Sequence, residues 1–450
     1  MKISYLLLIP LFLLCFCACD CRDAVTLNVK VNGKPSDSLV HLYTTDSVYT
    51  VPLNESSTAE IIVPKGKKLG YAYLKYGFKK SFVYLEPGVN ISLILDVGKY
   101  EVKQSFLGVN SKKNEYLNQH CVKFFTANME LEETDFIASL EKTEKKLWSS
   151  LDSLSFDKEF VEKEKVRLHN LIYSHLLSYP EYRNAIFNDR DYKCSEYYYN
   201  CLDASFKRND AMLDVPGYIE NIGNYVAQIA QKDMVVFDFE GFVNNCMKLA
   251  TDYIPEPSLL QNFIHPIVME YIGAAGISKL DEFKEYYQKN LFSQIVIAEL
   301  EKEGKKWMKL SKGEPAPDFE FQNLQGKTFR LKDFRGKYLF LDIWTTWCGP
   351  CRKQMPYLEQ IKDKMKGKNI VFLTVSSDED IQKWKDALKK MNLKGWQLHV
   401  DTKSTFYKDY LITVIPRFIL LDKEGRIFNA SVSEPSNPKT LEFLNSLEGI

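Results

Sequence analysis

The chain has 450 residues, too many for one ordinary domain, so two or three are expected. Lysine plus arginine equals aspartate plus glutamate at 59 each, which leaves no overall field to attract nucleic acid. With 45% hydrophobic and 13% aromatic residues, the composition is ordinary for a globular protein apart from its tyrosine and phenylalanine content and favours a folded chain throughout.

Residues 1–18 have the pattern of an export signal: Lys2, an apolar core over 3–16, then small residues. The apolar run is too short to span a bilayer comfortably. Cysteines then alternate along Cys15-Phe16-Cys17-Ala18-Cys19-Asp20-Cys21. Cys19, preceded by Ala18, resembles the cleavage and acylation site of bacterial lipoproteins, which implies a lipid-anchored chain of the periplasm or cell envelope. Phe16 and Cys17 depart from that motif, and Cys21 is a competing site. A plain secretory signal whose cysteines are small hydrophobes is the alternative.

From residue 22 to about 105 the signals are β throughout. Val25, Leu27, Val29 and Val31 alternate with polar residues and run into Asn32-Gly33, which predicts a hairpin turn. Short apolar runs follow at 39–43, 59–63, 69–74, 78–85 and 89–95, parted by glycine and proline, so a β-sandwich or partly open barrel is expected. This segment resembles the β-domain of unknown function often fused ahead of redox modules in exported bacterial proteins. His41 stands alone in it and suggests no ligand set.

Residues 111–310 change to helical periodicity, with amphipathic stretches at 134–154, 160–178, 259–273 and 277–302, and prolines such as Pro180 between segments. A central α-helical domain is expected. The rings between Tyr192 and Tyr199 read as core, with a partner surface as the alternative. Cys194 and Cys201 fall about two helical turns apart, on the order of 10 Å, too far for a disulfide. Residues 305–313 form a basic connector.

The last segment, 313–450, alternates strands and helices: a hairpin, a strand over 338–344, a helix to about 365, a strand over 370–375 and a helix over 380–391. A strand over 396–400, a helix over 404–410, a hairpin over 417–430 and a final helix from 438 complete it. The 338–344 strand runs into Trp347-Cys348-Gly349-Pro350-Cys351, which places two thiols where a strand hands over to a helix. Unpaired N–H groups and the dipole at a helix start stabilise a thiolate, so Cys348 is expected to ionise more readily than a free cysteine. With Gly-Pro between them the two sulfurs can close a disulfide, and the pair can cycle between dithiol and disulfide. A zinc knuckle would need two more ligands, and no second Cys-x-x-Cys accompanies this one.

Asp342 lies six residues before Cys348, where alternation turns it inward. Burial there would raise its pKa until it can take a proton from Cys351; a strand-end aspartate in solvent is the alternative. Pro356 falls inside the helix and should kink it. Ile415-Pro416-Arg417 precedes an apolar strand, where a proline suits an edge position.

This set of residues resembles thioredoxin, and the flanking pieces resemble its extracytoplasmic TlpA/ResA-like branch. Those pieces are Pro315-Ala316-Pro317-Asp318-Phe319, the Gly326 to Lys337 stretch, Arg352-Lys353-Gln354-Met355-Pro356 and Leu421 to Arg426. The unit around 380–399 is what that branch inserts into the thioredoxin core. The resemblance implies that Cys348 is the attacking nucleophile, Cys351 the resolving thiol, Asp342 the buried proton acceptor and Pro416 a cis-proline. It further implies that Trp347 shields the sulfurs and that Ile415 docks substrate backbone. Three positions depart from the family: Gln354 replaces a glutamate, the strand over 370–375 lacks the lysine that thioredoxin pairs with its aspartate, and Arg417 replaces a threonine. A guanidinium at 417 would lower the Cys348 pKa and favour acidic segments in a partner.

The fold expected is therefore multidomain: an all-β sandwich-like domain, a central α-helical domain and a C-terminal α/β thioredoxin-like domain. The function expected is a membrane-anchored thiol–disulfide oxidoreductase that reduces disulfides of exported proteins. Apocytochrome cysteines are a family substrate, and nothing in the sequence selects them. A membrane-bound electron donor is implied, because an oxidising compartment would otherwise lock the pair as a disulfide. No cofactor, metal or nucleic acid is expected. A peroxiredoxin-like thiol peroxidase is one alternative, with Thr345 in place but Leu341 where its signature needs proline. An envelope binding or assembly protein with an accessory redox module is the other.

Overall fold

In the N-terminal region, apolar residues at every second position build two four-stranded sheets among the described residues. The computed structural model describes residues 24–34, 37–187, 192–209, 212–213, 215–234 and 238–450; the export signal and Cys19 lie outside them. The chain divides into two compact units, one ending at residue 225 and the other beginning at 226, so the helical region is shared between them.

In the first unit the strands are β1 (Val25–Gly33), β2 (Leu39–Tyr43), β3 (Val48–Pro52), β4 (Thr58–Val63), β5 (Gly70–Tyr76), β6 (Lys79–Leu85), β7 (Ile91–Val97) and β8 (Val102–Leu107). They order as β4-β1-β7-β8 and β3-β2-β5-β6, and the inward residues of both sheets, among them Val25, Leu27, Val40, Leu74 and Leu93, form one core. The sandwich expectation holds, but the Asn32-Gly33 hairpin does not. β1 runs to Gly33 beside parallel β7, and β2 belongs to the other sheet. Gly33 is required for another reason: its φ is 89°, and a Cβ there would sit 2.6 Å from the Val97 carbonyl oxygen. β3 and β8 escaped the sequence reading because both are edge strands with little buried side chain.

Helices α1 (Ser111–Leu117), α2 (His120–Lys123), α3 (Glu133–Asp152), α4 (Lys158–Ile186) and α5 (Glu196–Ser205) follow, and α6 (Tyr218–Gln231) spans the division. Asn114 on α1 and Asn118 at its C-cap accept from the Tyr84 and Phe82 N–H groups at 2.7 and 2.9 Å, so they occupy the bonding edge of β6 where another strand would pair. α4 continues through Pro180, contrary to expectation. A proline at 180 leaves the Leu176 carbonyl without its helical donor, and Tyr198 Oη supplies one at 2.7 Å. Of the tyrosines around it, Tyr198 is buried and Tyr197 exposed, so that cluster is only partly core. Cys194, Cys201 and Cys246 are free thiols.

The second unit opens with α7 (Phe239–Tyr253), α8 (Pro257–Ala275), α9 (Leu280–Lys289) and α10 (Gln294–Trp307). The single helix expected over 277–302 is two, because Leu291 adopts a φ of 58° and Ser293 caps a new start. Strands β9 (Glu320–Asn323), β10 (Thr328–Arg330), β11 (Tyr338–Trp344), β12 (Ile370–Ser376), β13 (Trp396–His399), β14 (Arg417–Leu421) and β15 (Ile427–Val432) then form one sheet, ordered β10-β9-β13-β12-β11-β14-β15. β11, β12 and β13 are parallel, while β14 runs antiparallel to β11. Helices α11 (Gly349–Lys364), α12 (Ile381–Met391), α13 (Phe406–Asp409) and α14 (Pro438–Asn445) complete an α/β thioredoxin-like domain. β11 is buried at all seven positions, as a central strand covered on both faces must be.

In the first unit a charged network joins strand and helix. Glu164, fully buried on α4, accepts from Tyr71 Oη at 2.9 Å and from Arg167 at 2.8 and 2.6 Å, and Arg167 also reaches the Val122 carbonyl at 2.7 Å. Removing the carboxylate strands a buried cation, so Glu164→Ala is expected to cost about 3–5 kcal/mol, read as a lowered urea midpoint by circular dichroism.

Candidate active site

The site is built at the carboxyl end of β11, where the chain turns from a buried strand into α11. Cys348 is the N-cap of α11 and Pro350 lies in its first turn, where a missing N–H costs nothing. Cys348 and Cys351 form a disulfide, with Cα atoms 5.3 Å apart. The Cys351 N–H points at Cys348 Sγ at 3.1 Å, so a backbone donor of the helix start addresses the sulfur directly. Both sulfurs sit in an apolar cluster with Trp344, Met355, Trp384 and Leu388, two of them from α12. Trp347 is 73% exposed beside them, and Pro356 lies within an α11 that continues to Lys364.

Asp378 was not singled out by the sequence, yet it holds the turn ahead of Cys348. Its carboxylate accepts from the Thr346 N–H at 3.0 Å, from Thr346 Oγ1 at 2.7 Å and from Ser376 Oγ at 2.7 Å. Its carbonyl oxygen lies 2.7 Å from His399 Nε2, tying the end of β13 to the same turn. Locally Asp378 stands only in a polar stretch, Ser376 to Asp380, between a strand and a helix, with no motif to mark it.

Asp342 is buried beneath α11, so it is not a strand-end aspartate in solvent. Burial pushes its carboxyl up to about 7; the positive charge of Lys362 and a hydrogen bond with Thr374 pull the other way, and Glu359 adds to the rise. The lysine missing from β12 is thus supplied by α11, where Lys362 pairs with Glu359 at 2.8 Å. Asp342, Glu359, Lys362 and Thr374 line one small cavity. The signal was present: Cys351, Met355, Leu358 and Lys362 follow 4-3-4 spacing, so Lys362 occupies a position where the inward stripe calls for an apolar residue.

The Ile415–Pro416 bond is cis, and the Ile415 carbonyl oxygen lies 3.9 Å from Cys348 Sγ. The structure therefore brings Cys348, Cys351, Pro350 and Ile415 together. Arg417 departs from expectation. It is 2% exposed, its guanidinium donates to the Gly273 carbonyl and to the Ala430 carbonyl at 3.4 Å, and it lies over the Trp307 ring. Burial brings its pKa down to about 10. A side chain so committed offers no exposed cation to an acidic partner. Gln354, in place of the family's glutamate, donates to Glu434 at 2.6 Å and accepts from the Ser436 N–H at 2.9 Å.

The Redoxin family model matches residues 311–444. Over 139 residues the chain is 33% identical to the thiol-disulfide oxidoreductase ResA of Bacillus thuringiensis subsp. konkukian and of Bacillus cereus, spanning 31% of this chain and 80% of each relative. The chain belongs, through its C-terminal domain, to the TlpA/ResA-like thiol-disulfide oxidoreductases. Among solved structures it is similar to the thioredoxin domain of a Bacteroides vulgatus thiol-disulfide oxidoreductase, at 28% identity and TM-score 0.28, covering 30% of this chain and 96% of that one. It is also similar to a thiol-disulfide oxidoreductase from Bacteroides fragilis, at 29% identity and TM-score 0.27, covering 29% and 99%. The β-sandwich and helices α1–α10 lie outside the residues matched to the family.

The ionisation of Asp342 has a consequence for stability. Its folded pKa near 7 lies above the ordinary 3.8, so its contribution to stability is full below about pH 4, where both states are protonated, falls as pH rises from 4 to 7, where only the folded state keeps the proton, and is lost above 7. Asp342→Asn in the disulfide form is expected to be more stable than the parent at pH 8, by up to ~4 kcal/mol, and indistinguishable at pH 3. Urea denaturation at the two pH values checks this.

Proposed function

We propose that this protein is a reductase of disulfides in exported proteins, carried outside the cytoplasm by the signal in residues 1–18 and anchored to a membrane through a lipid on Cys19. The observation that carries the redox half of this reading is the Cys348–Cys351 disulfide at the start of α11, with a helix N–H on Cys348 Sγ and a carboxyl ionising near 7 on the strand beneath.

In the working direction the pair starts as a dithiol. The Cys348 thiolate attacks one sulfur of the substrate disulfide; a bond forms between the two sulfurs, the substrate S–S bond breaks and the released thiolate takes a proton from solvent. Asp342 accepts the Cys351 proton. The Cys351 thiolate then attacks Cys348 Sγ, closes the disulfide and expels the second substrate thiolate. The substrate gains two electrons and the protein loses two. A membrane-bound thiol or electron donor must return them, since the disulfide form alone cannot repeat the cycle. Trp347 and Ile415 flank the sulfurs where a substrate chain would lie. The thiol-peroxidase alternative gains no support, because Leu341, at its proline position, lies inside fully paired β11.

Equilibration of the purified chain with glutathione buffers is expected to give a potential near thioredoxin's, about −270 mV; a value near −120 mV would reverse the direction of the reaction. In the same preparation Cys348→Ser is expected to abolish insulin-disulfide reduction, and Cys351→Ser to accumulate a mixed disulfide with substrate, visible by mass spectrometry. Cys351→Ser protein that never forms that adduct would argue against the order of attack.

A further inference from the structure

Within the second unit a groove of about 1160 Å³ begins at Pro350, between the two active-site cysteines, and continues along the helices. Pro350, Ile415 and Pro416 form its near end. One wall is the β14–β15 hairpin, and the other is the start of α7, the end of α8 and Trp307 of α10. The helical wall is fastened to the hairpin: Arg417 donates to the Gly273 carbonyl and Ser431 Oγ to the Ala274 carbonyl. A groove of this volume exceeds the usual 300–1,000 Å³ range of a small-molecule pocket, and it opens beside the one pair of sulfurs a partner must reach.

Its charges are unequal. Asp238, Glu240, Glu270 and Glu434 line it against Lys312 and Lys439, while Arg417 is buried and bonded to carbonyls. Glu240 shares Lys279 at 3.3 Å, Glu434 takes a hydrogen bond from Gln354, and Lys312 lies 4.2 Å over the Phe428 ring. Glu270 and Glu434 are both exposed on the groove walls. The apolar side chains of Phe239, Val414 and Phe428 line it as well.

We propose that this groove receives the polypeptide segment flanking the partner's reacting cysteine, and that its carboxylates select a segment carrying lysine or arginine. The inference rests on the oxidoreductase reading above and adds a partner class to it. The groove sets which cysteine is presented, and the disulfide does the exchange. Complementary charge on such a segment speeds encounter and loses its effect as salt screens it.

The test uses the full purified chain, reduced, and two disulfide-bridged peptides identical except for four flanking residues, all lysine in one and all glutamate in the other. Rates follow from the change in tryptophan fluorescence in rapid mixing. The lysine-flanked peptide is expected to be reduced roughly tenfold faster at low salt, with the ratio falling toward one in 0.5 M salt. Glu270→Lys, a change on an exposed face of α8, is expected to shrink or invert that ratio. Equal rates for the two peptides, or a ratio unmoved by Glu270→Lys, would overturn the groove assignment. Failure to reduce either peptide would instead overturn the oxidoreductase reading on which it rests.

Discussion

The chemistry of the second unit depends on one contact, the Cys351 N–H directed at Cys348 Sγ at the first turn of α11. A thiolate formed on Cys348 would face that donor and the positive end of the helix together, and both favour the charged form. The contact requires Cys348 to stand at the N-cap, which requires β11 to end at Trp344 and the chain to turn within three residues. Burial of β11 on both faces fixes the first condition. Asp378 fixes the second, by taking the Thr346 N–H and hydroxyl onto one carboxylate. The hydrophobic cluster around Trp344 and Trp384 then keeps water from competing for the sulfurs.

Asp342 carries the opposite physics. A buried ionised carboxylate is unstable without a partner, and Lys362, whose positive charge acts on Asp342, is itself paired with Glu359. The carboxyl therefore stays near the point where protonated and ionised forms are balanced at neutral pH. Burial raises the Asp342 carboxyl, and the positive charge of Lys362 offsets part of that rise while Glu359, its salt-bridge partner, adds to it.

Much of this was legible in the sequence where local pattern and burial agree. The alternation from Val25 to Val31, the strand before Trp347, the helix opening at Gly349-Pro350 and the inserted unit around Trp384 all fold as their periodicity indicates. The pattern failed where a distant group changes the local outcome. Pro180 does not end α4, because Tyr198 replaces the donor it removes. Gly33 does not make a hairpin, because its special backbone serves the approach to Val97. Asp378 is invisible to motif reading because its partners, Thr346 and His399, come from elements brought together only by the sheet.

Arg417 shows the same limit at the site itself. A cation one residue from Pro416 suggests contact with a charged partner, and local reasoning has no reason to reject it. In the fold the Arg417 side chain is buried, and its charge is desolvated between the Gly273 and Ala430 carbonyls and the Trp307 ring. Burying a guanidinium without a carboxylate is expensive, so the arrangement persists only if those carbonyls and the ring are held in place. Gly273 and Trp307 both precede residue 311, where the family match begins. The strand that follows Pro416, and with it the Ile415 carbonyl facing Cys348, is therefore held from outside the redox module, by α8 and α10. The helices ahead of the module thus form part of the support of its site.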